Sequence, residues 1–191
     1  MDIKQYIKDS IITKEKIYND DKIISVIKNI VKVIVEAYRQ NKKVLTAGNG
    51  GSACDSQHIA GELVAKFFID RRGLNAISLV NYISSLTAIS NDFGYEKSFS
   101  RQIQALSEKG DIFIALSTSG NSKNIILALE EARNKGLITV GLVGEKVCEM
   151  DSLCDYIIHV PSSVTPNVQE AHIMIGHIIC AMVEETLFAN K

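Results

Sequence analysis

The run VLTAGNGGSACDSQHIAGEL, residues 44–63, decides the fold. Val44-Leu45-Thr46-Ala47 reads as a buried strand, Gly48, Gly50, Gly51 and Ser52 form a glycine-rich turn, and a helix-length segment follows. A strand that turns through glycine into a helix is the opening of a βαβ unit. In that helix His58 and Glu62 stand four apart and share one face. The turn serves as a phosphate cradle, as the approach to a metal site, or as a plain packing device, and the rest of the chain must choose.

Four further aliphatic runs repeat the pattern: AISL at 76–79, DIFIAL at 111–116, ITVGLV at 138–143 and YIIHV at 156–160. Short runs of this kind separated by helical segments predict five parallel strands in a sheet buried on both faces, a three-layer α/β/α sandwich. Residues 2–41 contain neither Gly nor Pro. Ile23, Ile24, Ile27, Ile30, Val31, Ile34, Val35 and Tyr38 recur there at helical spacing, and Ile3, Tyr6, Ile7, Ile11 and Tyr18 mark a preceding helix. The intervening NDD at 19–21 supplies turn and cap. The two form a helical hairpin whose broad aliphatic face predicts packing against a neighbouring subunit as well as against its own sheet. From about Asn167 to Phe188 one long helix is expected, with Ile173, His177, Cys180, Val183 and Leu187 at helical intervals. Pro161 and Pro166 bracket SSVT, so 161–166 reads as a loop. With no repeat or change in composition, residues 1–191 read as a single domain, hairpin at 1–41 and α/β core at 42–191.

Composition narrows the function. The 191 residues, 46% hydrophobic, suffice for one sizeable core. A net charge of -1 from 21 basic and 22 acidic side chains gives no attraction toward nucleic acid or an anionic membrane. Cys54, Cys148, Cys154 and Cys180 are scattered without a C-x-x-C pair and read as reduced thiols. The first residues, MDIKQYIKDS, lack the pattern of a secretory leader, and no uninterrupted apolar run approaches membrane-spanning length. A cytoplasmic protein is expected.

Ligands of open parallel sheets bind where strands end and helices begin, because free N–H groups and the helix dipole favour anions there. Two such exits are unusually polar. GNGGS at 48–52 allows close backbone approach and offers Ser52; STSGNS at 117–122 offers Ser117, Thr118, Ser119 and Ser122 around a glycine. Neither carries Lys or Arg, so a phosphate monoester held here relies on amides and hydroxyls, a mode suited to a small sugar phosphate. GNGGS has the spacing of neither common nucleotide-binding glycine motif, and one such turn alone is compatible with packing. Two on one sheet favour a ligand. SND at 90–92, before Phe93-Gly94, adds polar groups or simply stops a helix.

His58 and Glu62 can share a metal ion, the carboxylate can act as a base, or the two form a surface pair. His177 lies in the apolar stretch 173–179, where a satisfied core histidine is the ordinary reading and a proton shuttle the functional one. His172 reads as structural or solvated and His159 as structural. On a continuous helix Gln169 and His177 stand about 12 Å apart along the axis. They then cannot easily hold one ion from one subunit, unless the first turn is distorted or a neighbour supplies one of them.

GNGGSACDSQHIAGEL, SNDFGY, STSGNS and VQEAHIMIGH, in this order behind an N-terminal helical pair, resemble the sedoheptulose-7-phosphate (phosphoheptose) isomerases of the sugar isomerase (SIS) fold, over almost the whole chain. The resemblance implies a flavodoxin-like SIS architecture and a homotetramer with active sites between subunits. It implies substrate contacts from Asn49, Gly50, Gly51, Ser52, Glu62, Asn91, Asp92, Ser117, Thr118, Ser119, Ser122 and Gln169. It also implies one zinc ion per subunit on His58, Glu62, Gln169 and His177, with no organic cofactor, and an acid/base pair of Glu62 and His177. The implied reaction interconverts sedoheptulose 7-phosphate and D-glycero-D-manno-heptose 7-phosphate through a cis-enediol, the entry to activated heptoses for bacterial surface polysaccharides. Asn167 and Pro166 stand where many members carry an arginine and an acidic residue, which bears on substrate preference. A noncatalytic SIS protein that binds a partner, like the replication-initiator-associating proteins, and a sugar-phosphate sensor are the competing readings. The full set of Glu62, His177, His58 and Gln169 favours the enzyme.

Overall fold

The computed structural model describes residues 2–189. Asp2 caps α1 (Ile3–Tyr18), and Asp20 caps α2 (Asp21–Arg39) by accepting the amides of Lys22 and Ile23 at 2.9 and 3.2 Å. Each carboxylate satisfies N–H groups that a first helical turn leaves free. The hairpin expected from the NDD turn is thus in place.

Five strands follow: β1 (Val44–Gly48), β2 (Ala76–Ser78), β3 (Ile112–Ser117), β4 (Ile138–Val143) and β5 (Tyr156–His159). All pair in parallel, in the order β2-β1-β3-β4-β5. Alternation along β3 shows why the strand must be buried on both sides. Ile112, Ile114 and Leu116 face a core built with α2, α3 (Gly51–Val64) and α7 (Thr165–Phe188), while Phe113 and Ala115 face a second core with α5 (Ser100–Leu106) and α6 (Lys123–Asn134). The three-layer sandwich is the one expected. At its lower edge the buried Asp111 accepts the amides of Lys43 and Glu108 at 3.0 and 2.7 Å and pairs with Lys43 Nζ at 2.8 Å, which fixes the entry of β3 beside β1.

α4 (Ile83–Phe93) lies on the surface after β2 and ends at Gly94. The loop expected over 161–166 is shorter, because α7 begins at Thr165 and takes Pro166 into its first turn. Proline is tolerated there, where its missing N–H has no helical acceptor. By length and composition α7 is apolar enough to cross a membrane. Here its apolar residues Val168, Ala171, Ile175, Ile179 and Val183 are buried in the core instead. α1 is less covered: Ile3, Tyr6, Ile7, Ile11 and Tyr18 remain exposed.

Phe113 is fully buried at the centre of the sheet. Phe113→Ala is expected to cost about 3–5 kcal/mol of stability, seen as a lower urea midpoint at fixed protein concentration.

Candidate active site

Reversal of strand order between β1 and β3 opens a crevice at their carboxyl ends, and both polar loops lie there. Gly50, with φ +56°, starts α3, and the hydroxyl-bearing Ser52 is buried at its first turn. Across the crevice Ser117 Oγ lies 3.2 Å from Ser122 Oγ and 3.4 Å from Ser119 Oγ. Ser122 occupies the position that caps α6, yet its hydroxyl makes no bond to that helix. It turns toward the serine cluster and leaves the first amides of α6 for an anion. Thr118 lines a polar cavity of about 380 Å³ beside the loop, with Ser119, Asn121, Lys146, Ser162 and Thr165.

One amide pair ties the loops together. Asn49 Nδ2 donates to Asn124 Oδ1 at 2.8 Å, Asn124 Nδ2 donates back to Asn49 Oδ1 at 2.9 Å, and Tyr95 Oη donates to the same Asn49 oxygen at 2.8 Å. The Asn49 side chain is therefore largely engaged within the protein. Asn124, buried at 3% exposure, escaped the sequence reading. Its signal was faint, a polar residue in an otherwise apolar helix face just after STSGNS. Asn91 and Asp92, in the last turn of α4, bond to each other at 2.8 Å.

α3 carries His58 and Glu62 on one face, and α7 brings His177 to them. His58 Nε2 lies 3.0 Å from Glu62 Oε1 and 3.3 Å from His177 Nε2. The ordinary reading of His177 as a core histidine does not hold: the ring is half-buried and stacks edge-on against His58, centroids 4.9 Å apart. Close approach of the two helices makes this possible. A Cβ on Gly176 would come within 2.7 Å of the Ile59 side chain, so glycine lets α7 lie this near α3 without displacing Ile59.

The donor atoms of His58, Glu62 and His177 all fall within 4.8 Å of one another. With Glu62 ionised, a single proton on His58 Nε2 serves only one of its two contacts. A divalent cation resolves the conflict, and two imidazole nitrogens with a carboxylate oxygen form a donor set that fits zinc. Gln169 is placed elsewhere in this chain. α7 runs unbroken from Thr165, with no distorted first turn, and the Gln169 amide rests on the glycine turn, 2.5 Å from where a Gly51 Cβ would sit.

Asp55, one turn before His58, also escaped the sequence reading, although its spacing from His58 was a usable signal. Its Oδ2 is buried without a partner among the described residues, and burial raises its carboxyl above the usual range against the pull of His58. The two remaining histidines stay outside the site. His159 bridges Asp151, at 2.7 Å, and the Gly144 carbonyl, at 3.0 Å. His172 is fully buried, which removes the solvated alternative. The arrangement as a whole can hold an anion on uncharged donors and move protons between a carboxylate and an imidazole.

Comparison with known proteins places the chain in a family. The SIS domain family model matches residues 5–144. The chain is 55% identical over 188 residues to phosphoheptose isomerase 2 of Campylobacter jejuni, covering 98% of this chain and 94% of that one. It is 54% identical to the phosphoheptose isomerase of Aneurinibacillus thermoaerophilus, covering 99% and 96%. Among solved structures, a phosphoheptose isomerase from Francisella tularensis superposes with a TM-score of 0.92 at 31% identity, covering 96% of each chain.

His172 sets a pH dependence of stability. Burial lowers its pKa from 6.5 to about 4, against a hydrogen bond to the Val143 carbonyl. The unfolded chain therefore takes up a proton that the folded one refuses, so this contribution is complete above the unfolded value and is lost as pH falls toward the folded one. The urea midpoint is expected to drop between about pH 7 and pH 5, and His172→Gln to flatten that slope.

Proposed function

The chain belongs to the phosphoheptose isomerases of the SIS domain family, and on that premise we propose that it interconverts sedoheptulose 7-phosphate and D-glycero-D-manno-heptose 7-phosphate. The family is one of isomerases, and sugar-phosphate isomerisation is the general reaction. The observation that carries the finer reading is the meeting of Glu62 and His177 around His58, residues of α3 and α7 that stand 119 positions apart for the two histidines.

The phosphate sits on the amides and hydroxyls of the two loops, with Ser52, Ser117, Ser119 and Ser122 as donors and Gly50, Gly51 and the Asn49 backbone close by. Thr118, Asn91, Asp92 and Gln169 contact the sugar. Glu62 Oε1 faces His58 and leaves Oε2 for the substrate. Glu62 takes the proton from C1 while His177 protonates the C2 carbonyl oxygen, giving the cis-enediol. Glu62 then delivers the proton to C2 and His177 withdraws the proton from O1, which leaves the aldehyde at C1. Proton count and charge are restored. His58, Glu62 and His177, with Gln169, are the residues that would hold one zinc ion, and zinc bound there would supply a Lewis acid for the substrate carbonyl.

Gln169 is about 12 Å from His177 along the straight α7. A neighbouring subunit's copy completes the set, which supports a homotetramer with its sites between subunits. The exposed Ile3, Tyr6, Ile7 and Ile11 of α1 give such an assembly an apolar surface to cover. We place the enzyme in the cytoplasm, at the head of activated heptose synthesis for a surface polysaccharide. Pro166 and Asn167, at the start of α7, bear on its substrate preference.

Purified protein is expected to form the aldose from sedoheptulose 7-phosphate, and Glu62→Gln or His177→Gln to lower kcat by about 10²- to 10⁴-fold. Absence of turnover in the parent, or undiminished turnover in both variants, would sink the assignment. Removal of metal by a chelator is expected to abolish activity and added zinc to restore it. Sedimentation at micromolar concentration is expected to give a tetramer; a monomer contradicts the shared site.

A further inference from the structure

Behind the triad lies a buried ion pair that the reaction does not consume. α3 ends at Val64, and the segment 65–73 returns to the sheet without regular structure of its own. It is held by Glu184 of α7, whose carboxylate accepts the amides of Phe67 and Ile69, both at 2.8 Å, that of Phe68, and Arg71 Nε at 2.8 Å. The side chains of Arg71 and Glu184 are only 2% and 1% exposed. Burial pushes the Glu184 carboxyl up, but the three amides and the guanidinium outweigh it and hold it below the usual carboxylate range.

Besides the Arg72 carbonyl, which accepts from Nη1 at 3.1 Å, Arg71 spends its other donors on the end of α3. Nη1 reaches the carbonyls of Leu63 and Ala65 at 2.8 and 2.9 Å, and Nη2 reaches that of Glu62 at 3.0 Å. The guanidinium thus closes the helix end with the charge that its dipole favours, and in doing so grips the backbone of Glu62. Glu184 stands about two turns beyond His177 on the same face of α7. Phe67, tied to Glu184 by its amide, lays its ring against His177, centroids 5.7 Å apart at 45°. One ion pair therefore reaches Glu62 through its carbonyl and His177 through the Phe67 ring. Apolar side chains of equal volume can fill such a space at little cost in stability. They cannot orient three amides and three carbonyls at once.

We propose that Arg71 and Glu184 are a positioning pair for the isomerase site, fixing the separation of Glu62 from His177 and holding Phe67 as the wall behind the His177 imidazole. The proposal rests on the reading of Glu62 and His177 as the acid/base pair. Neither residue touches Ser52 or the serine cluster, so loosening the pair disturbs proton transfer and cation binding and leaves phosphate binding alone.

Three variants test it: Arg71→Lys, which keeps the charge and loses the fork; Glu184→Gln; and Phe67→Leu, which leaves the ion pair intact. Each is expected to lower kcat about tenfold or more while KM for the heptose phosphate stays within about twofold. Affinity of the metal-free protein for Zn²⁺, measured by competition with a chelating dye, is expected to fall about tenfold in Arg71→Lys and Glu184→Gln. If the ion-pair variants fail to fold, the kcat and KM of Phe67→Leu decide. Folded variants with kcat and Zn²⁺ affinity within about twofold of the parent overturn the proposal, as does a loss of kcat matched by an equal loss of folded protein. A parent protein without heptose-phosphate turnover defeats the functional reading alone, since Zn²⁺ competition still judges the pair.

Discussion

Everything at this site depends on how closely α7 can lie on α3. Gly176 removes the one Cβ that would strike Ile59, and the neighbouring residue, His177, then reaches His58. Arg71 and Glu184 lock the same two helices farther along, with a charge pair that water cannot reach. A glycine admits the contact and an ion pair fixes it. Between those points the donors of two histidines and a glutamate are forced together, and their mutual conflict over one proton is what makes the cluster fit a cation or a reacting sugar.

The anion end is built on a different principle. No lysine or arginine belongs to GNGGS or STSGNS, so the donors these loops offer an anion are free helix amides and serine hydroxyls. Such donors work only when rigidly aimed, since each is weak alone. Rigidity comes from the reciprocal amides of Asn49 and Asn124, braced by Tyr95, which bind the exit of β1 to that of β3. Loops of this kind select by shape and hydrogen-bond direction, with Lys146 a cation lining the cavity beside Thr118 and Ser119.

The sheet was legible because burial on both faces writes itself into the chain as uninterrupted aliphatic runs, as in β3 and β4. The hairpin was legible from its spacing of isoleucines and the Asp20 cap. Both loops stood out because glycine and serine crowd the strand exits. Pro166 misled, since it reads equally as loop or as a first helical turn. The spacing around His177 left a core histidine and a functional one both open, because its apolar neighbours on α7 describe the core-facing side of the helix and say nothing of the side that meets α3; the family resemblance, not the local pattern, pointed to its role. Asn124, Arg71 and Glu184 gave little signal, for their partners are distant in sequence and their roles exist only through those partners.

By itself the sequence determined the class of fold, the five strands, the two polar loops and the His58–Glu62 face, all set by local periodicity or by residues a few positions apart. Resemblance of its motifs carried the family. Only the tertiary structure decided that His177 leaves the core to meet His58, that the Gln169 of this chain rests on the glycine turn instead of the triad, and that a buried ion pair stands behind the site. Those outcomes turn on the distance between two helices, and that distance is fixed by a missing Cβ and by charges paired across the fold, which no local pattern encodes.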